Sequence, residues 1–281
     1  MSQQQLTDLL IARSGADMSR HSPSDTPGIS GGKRAGKAAT AELAETVTAL
    51  QERLFAEGAG GGSRSLLLVV QGMDTAGKGG IMRHVVGACD PQGVRITAFK
   101  APTKEERAHP FLWRIRKALP RPGQIGVFDR SHYEDVLIVR VRNLVPPEHW
   151  RRRYAQINAF EQGLVDSGTT IVKVMLRISP EEQRSRLAER LSRPDKYWKY
   201  NPGDVDERLL WHDYQDAYEA VLDRCSTDTA PWYVVPADSK WYARYAVMSL
   251  LAHHLHRRDP QWPAADFDVK AERKRLAAAD V

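Results

Sequence analysis

The chain has 281 residues, 31.6 kDa, 42% hydrophobic and 27% charged residues, enough to bury the core of one large domain with modest extensions. Its two cysteines, Cys89 and Cys225, lie far apart without metal-ligand spacing, which argues against a disulfide scaffold. A net charge of +6 and a pI near 9.3 favour polyanionic partners, without separating nucleic acid, a membrane surface or a phosphate chain. No apolar stretch is long enough to span a bilayer and no signal-peptide pattern is visible, so the expected location is the cytoplasm, with no membrane partner.

Residues 1–38 are rich in Ser, Gly and Gln and are expected to form a flexible N-terminal extension. From Ala41 to Glu57 the spacing of Leu43, Val47, Leu50 and Leu54 predicts a helix, ended by the glycines at 58 and 60–62. The apolar run Leu66 to Val70 then predicts a buried strand, and similar runs recur at Val94–Phe99, Ile125–Phe128, Ile171–Ile178 and Trp232–Val235. Helical patterns fall between them, near 77–88, 104–118, 131–142, 147–167, 180–193 and 204–226, with Pro110 making the start of the second uncertain. Further helical tracts follow at about 239–256 and 264–279. This alternation predicts a three-layer α/β/α domain on a parallel sheet, over about 39–260, with a C-terminal helical tail at 261–281.

The first strand runs into Gly72-Met73-Asp74-Thr75-Ala76-Gly77-Lys78-Gly79, a match to G-x-x-x-x-G-K. In this strand–loop–helix setting, backbone N–H groups from Gly72, Thr75, Ala76, Gly77 and Gly79 can cradle phosphate oxygens while Lys78 adds a point charge. Where the loop usually carries a Ser or Thr hydroxyl for magnesium, this chain has Gly79. Mg²⁺ then needs another hard oxygen ligand, and Asp74 within the loop is the candidate.

Ile125-Gly126-Val127-Phe128-Asp129 has the layout of a strand ending in a Walker B acid, although Asp129 alone would equally serve as a helix N-cap. Arg130 follows as a guanidinium fork for phosphate. Arg186, Arg190 and Arg193 form one basic stripe ahead of Pro194-Asp195-Lys196-Tyr197-Trp198-Lys199, and this reads either as a lid over about 180–205 or as a solvated face. His253, His254 and His256 have no acid or cysteine partner nearby and are read as a helix end.

Together, the Gly72–Gly79 loop, the segment Asp129-Arg130-Ser131-His132-Tyr133-Glu134-Asp135 and the arginine-rich lid with Trp198-Lys199 resemble the polyphosphate kinase 2 family. Supporting stretches are Phe99-Lys100-Ala101-Pro102-Thr103, Phe111-Leu112-Trp113-Arg114 and Ala230 to Asp238; the resemblance covers most of residues 40 to 258. It implies a thymidylate-kinase-like fold, Mg²⁺-dependent and reversible transfer between inorganic polyphosphate and nucleotides, and a homodimer or homotetramer. Carried over, Asp74 and Asp129 would bind metal, and Lys78 and Arg130 would neutralise the phosphoryl group in flight. Arg186, Arg190, Lys196 and Lys199 would contact phosphate from the lid, with Lys100 and Arg114 as further acceptor or phosphate contacts. Glu134, in place of an Asn, resembles the subfamily acting on both mono- and diphosphates, so AMP, ADP and ATP are the expected nucleotides, while base preference, guanine nucleotides included, stays open. An ATP-dependent nucleotide kinase on the same fold is the main alternative. A basic nucleic-acid-binding module is another, but no recognised nucleic-acid-reading motif is present, so nucleic acid is not an expected partner.

Overall fold

The computed structural model describes residues 3–12, 18 and 21–279. In chain order its elements are α1 (Gln3–Leu10), β1 (Ile11–Ala12), α2 (Gly32–Ala59), β2 (Ser65–Gln71), α3 (Lys78–His84), β3 (Val94–Ala98), α4 (Lys104–Arg107) and α5 (Leu112–Ala118). They continue with β4 (Ile125–Asp129), α6 (Ile138–Val141), α7 (Pro147–Asp166), β5 (Thr169–Arg177), α8 (Pro180–Ser192), α9 (Gly203–Leu209), α10 (Trp211–Cys225), β6 (Trp232–Pro236), α11 (Lys240–Arg258) and α12 (Val269–Ala277).

The sheet order is β1-β6-β5-β2-β4-β3, parallel throughout except for the two-residue β1, which pairs antiparallel with β6. Every residue of β2 is buried, as a strand covered on both faces requires. Helices α1, α2 and α3 pack around α11, which also lies on β5 and β6. Helices α6, α7 and α10 pack together, with α7 on β5, so helices flank the sheet in the expected α/β arrangement.

Several boundaries differ from the sequence expectation. The helix expected from Ala41 begins at Gly32, because Lys33, Arg34, Ala35 and Lys37 to Ala39 are good helix formers and Gly36 lets the chain approach the Trp241 ring, where a Cβ would come within 2.2 Å. Within the 1–38 segment expected to be flexible, α1 buries Leu6 and Leu10 and packs on α11. Residues 1–2, 13–17, 19–20 and 280–281 of the expected terminal segments lie outside the described residues. The helix expected over 104–118 is broken between α4 and α5 around Pro110, which has no N–H to continue the ladder. A short 3-10 helix, His132–Asp135, replaces the first turns of the helix expected over 131–142. The run at 94–99, expected to be a buried strand, forms the sheet edge, with Arg95 and Ala98 exposed and Ile96 53% exposed.

Candidate active site

The loop between β2 and α3 sits at the carboxyl end of the central strand, where open parallel sheets bind ligands. Its conformation depends on left-handed backbone at Gly77 (φ 115°) and at Thr75 (φ 66°), with Gly72 at φ 153° pressed so closely to β5 that a Cβ would lie 2.8 Å from the Leu176 carbonyl. Lys78 Nζ donates to the carbonyls of Gly72 at 2.6 Å and Met73 at 3.3 Å. Burial pushes its ammonium below the ordinary lysine value, against the pull of Asp74.

In register with β2, strand β4 ends at Asp129, opposite Val70. The Asp129 carboxylate makes no hydrogen bond among the described residues. The next residue, Arg130, is held in the left-handed region (φ 61°) by its N–H to Val70 O at 3.1 Å, and its Nη2 meets Asp74 Oδ1 at 2.8 Å. Burial works against the Arg130 charge, but Glu134 and Asp74 override it and raise its pKa. With the Gln71 amide oriented to satisfy both its atoms, its nitrogen donates to Glu134 Oε1 at 3.0 Å and its oxygen accepts from Ser131 N at 3.2 Å. Glu134 is therefore held by the end of β2, and burial pushes its carboxyl up against the opposing effect of Arg130 and Lys78.

Asp74, Arg130 and Glu134 share the wall of a cavity of about 620 Å³. Lys100 and Arg114 line it from the β3 side, Asn201 and Asp204 from the segment before and into α9, and Tyr214 and Tyr218 from α10. Arg114 reaches across to donate to Lys100 O at 2.8 Å and pairs with Glu106 at 3.5 Å.

These motifs in this geometry have known counterparts. The family model described as polyphosphate kinase 2 (PPK2) matches residues 31–263. The chain belongs to the polyphosphate kinase 2 family. It is 46% identical over 247 residues to an AMP/ADP-polyphosphate phosphotransferase of Meiothermus ruber, covering 88% of this chain and 91% of that one. It is 41% identical over 244 residues to an ADP-polyphosphate phosphotransferase of Rhodopseudomonas palustris, covering 83% and 82%. The crystal structure of Polyphosphate Kinase 2 from Arthrobacter aurescens TC1 superposes with a TM-score of 0.95 at 53% identity, over 99% of this chain and 98% of that one.

In this polyphosphate kinase 2 chain the basic stripe on α8 splits into unlike parts. Arg186, expected to contact phosphate, is only 5% exposed and spends all five N–H donors on protein. Nε bonds Glu182 at 2.7 Å, Nη1 the carbonyls of Thr75 and Ala76 at 2.9 and 3.1 Å, and Nη2 those of Ala237 and Asp238 at 2.7 and 2.8 Å. It braces the outside of the phosphate loop and has no donor left for a ligand, which corrects that expectation. Arg190 is different: only Nη1 is engaged, by Lys199 O and Asp204 Oδ2, both at 2.9 Å. Lys196 bonds Glu189 closely, and that contact holds the Glu189 carboxyl down to about 2. Lys199 lies over the exposed Trp198 ring at 4.8 Å.

Neither Lys78, Asp129 nor the α8 arginines reach the cavity wall. Among the described residues no cluster of three His, Cys, Asp or Glu side chains is positioned for a metal. Asp74 and Asp129 offer hard oxygen donors, with Glu134 on the same cavity wall as Asp74, a set that suits a divalent cation whose other ligands are phosphate and water. At Gly79 a Cβ would meet nothing within 4 Å, so the absent hydroxyl is not imposed by crowding.

Sequence reasoning missed Gln71, Asp204 and the polar group beneath the 131–135 segment. There Lys173 Nζ donates to Glu161 Oε2 (2.6 Å), Tyr133 Oη (2.9 Å) and Cys225 O (2.7 Å), while His132 Nε2 and Tyr133 Oη meet Glu161 Oε1 at 3.0 and 2.9 Å. Burial alone would raise Glu161, yet Lys173 and His132 hold it below its ordinary value. The available signal was Lys173 itself, a charge inside the otherwise apolar run Ile171–Leu176.

Proposed function

We propose that this chain transfers the terminal phosphoryl group of inorganic polyphosphate to nucleoside mono- and diphosphates, making ADP from AMP and ATP from ADP, reversibly and without a covalent enzyme intermediate. The observation that carries the reading is the convergence of Asp74, Arg130 and Glu134 on one cavity at the mouth of a phosphate loop whose usual hydroxyl is replaced by Gly79. The names of the Meiothermus ruber and Rhodopseudomonas palustris relatives support the substrate class.

In the reaction, an oxygen of the acceptor's terminal phosphate forms a bond to the terminal phosphorus of the chain as the P–O bond to the next unit breaks in line. The chain leaves one unit shorter. Backbone N–H groups of the phosphate loop and Lys78 align the anion, and Arg130, released from Asp74, neutralises charge that spreads over the transferring oxygens. Asp74 and Asp129 would hold Mg²⁺, which supplies charge neutralisation at phosphate oxygens. Lys100 and Arg114 offer cationic contacts along the cavity, and the open edge of Arg190 offers one from α8.

The decisive assay offers AMP, ADP, GMP and GDP separately, with polyphosphate as sole donor, and resolves the products. ADP from AMP and ATP from ADP are expected. Phosphorylation only with ATP as donor would replace the reading with an ordinary nucleotide kinase.

A further inference from the structure

Arg186 and Arg190 lie one turn apart on α8 and end in opposite situations. The first has no free donor. The second is anchored along one edge, through Nη1, while its Nε and Nη2 find no acceptor among the described residues. The anchoring acid, Asp204, sits at the start of α9, is 8% exposed, and faces the cavity that Asp74 and Arg130 also line. Keeping a carboxylate there runs against electrostatics, because burial and the nearby Asp74 both disfavour its charge while Arg190 favours it. An acid that close to a phosphate site would repel the substrate unless its charge is committed elsewhere, and the side chain to which it is committed is Arg190.

We propose that Asp204 is a positioning residue for phosphoryl transfer: it fixes Nη1 of Arg190 so that the Nε–Nη2 edge is held ready as a two-donor fork for phosphate oxygens. The inference rests on the reading of Arg190 as a phosphate contact. A guanidinium pinned at two acceptors on one side keeps its plane fixed, so the geometry of the fork is set before the anion arrives.

The test is a double-mutant cycle in the full-length enzyme, measuring kcat and KM for polyphosphate at saturating ADP, with melting temperature recorded for each variant. Asp204→Ala is expected to raise KM about tenfold with a smaller effect on kcat. Asp204→Asn, which keeps an acceptor for Nη1, is expected to stay within about threefold of wild type. Combined with Arg190→Ala, neither substitution is expected to add to the loss from Arg190→Ala alone. Losses that multiply, or an Asp204→Ala enzyme as good as wild type or better, overturn the proposal while leaving Arg190 as a contact. A silent Arg190→Ala overturns the reading of Arg190 and the proposal with it. Should Asp204→Ala melt too low to assay, the cycle with Asp204→Asn decides by the same comparison: multiplying losses overturn the proposal.

Discussion

The guanidinium of Arg186 hangs the phosphate loop from helix α8, with Nη1 2.9 Å from the carbonyl of Thr75, a residue that itself sits in left-handed backbone. Removing that side chain would leave three buried carbonyls and one part-buried carbonyl without this donor. Arg186→Ala is therefore expected to cost about 3–5 kcal/mol, a fall in Tm on the order of 10 °C for a domain this size. Thermal unfolding measures it, and a Tm within a degree or two of wild type would show that the loop holds its shape unaided.

Arg190, one turn further along, is expected to separate the two effects. Charge-assisted contacts are worth about 1.5–3 kcal/mol, so Arg190→Ala should lower kcat/KM roughly ten- to a hundredfold, with a smaller fall in Tm than Arg186→Ala, because only the contacts to Asp204 and one carbonyl are lost. Steady-state kinetics beside a melting curve distinguish this from a solvated surface arginine, for which neither quantity moves.

Asp74→Asn and Asp129→Asn are each expected to abolish turnover while circular dichroism stays native, because the hard cation that these carboxylates would hold loses a charged oxygen ligand with either change. Substantial activity in one variant would remove that residue from the metal site.

Glu134→Asn should reduce AMP phosphorylation far more than ADP phosphorylation. The attacking oxygen of a monophosphate lies one phosphoryl unit short of a diphosphate's, and the carboxylate that Gln71 holds against the cavity can retain a second cation or its water to bridge the gap. Equal losses with both acceptors would reduce Glu134 to a favourable charge at a helical first turn.

His254 gives a stability test away from the site. Its Nε2 meets Tyr233 Oη at 2.9 Å, and burial, then His253 and Arg257, push its pKa down to about 3. The folded state thus holds it neutral while the unfolded chain protonates it near pH 6.5, so its contribution is complete above that pH and is lost progressively towards pH 3. The Tm advantage of wild type over His254→Gln should shrink between pH 7 and pH 5. Parallel Tm curves would refute the assignment.

Sequence alone determined the parts of this protein that local chemistry dictates. The run Leu66 to Val70 had to be an inner strand because no residue in it tolerates water, and the glycines at 72 and 77 could serve the loop because they tolerate left-handed or crowded backbone. The pairing of Asp74 with Gly79 likewise exposed the missing metal hydroxyl, and the motif set by itself resembled the family. Tertiary structure decided which of these charges are spent wholly on the protein and which keep a free edge. Arg186 and Arg190 share a helix face and read alike in sequence, but carbonyls brought from residues 75, 76, 237 and 238 saturate the first and leave the second half open. Gln71, Asp204 and Lys173 escaped notice for the same reason: a side chain's hydrogen-bond partners come from segments distant in the chain, and no local periodicity encodes them.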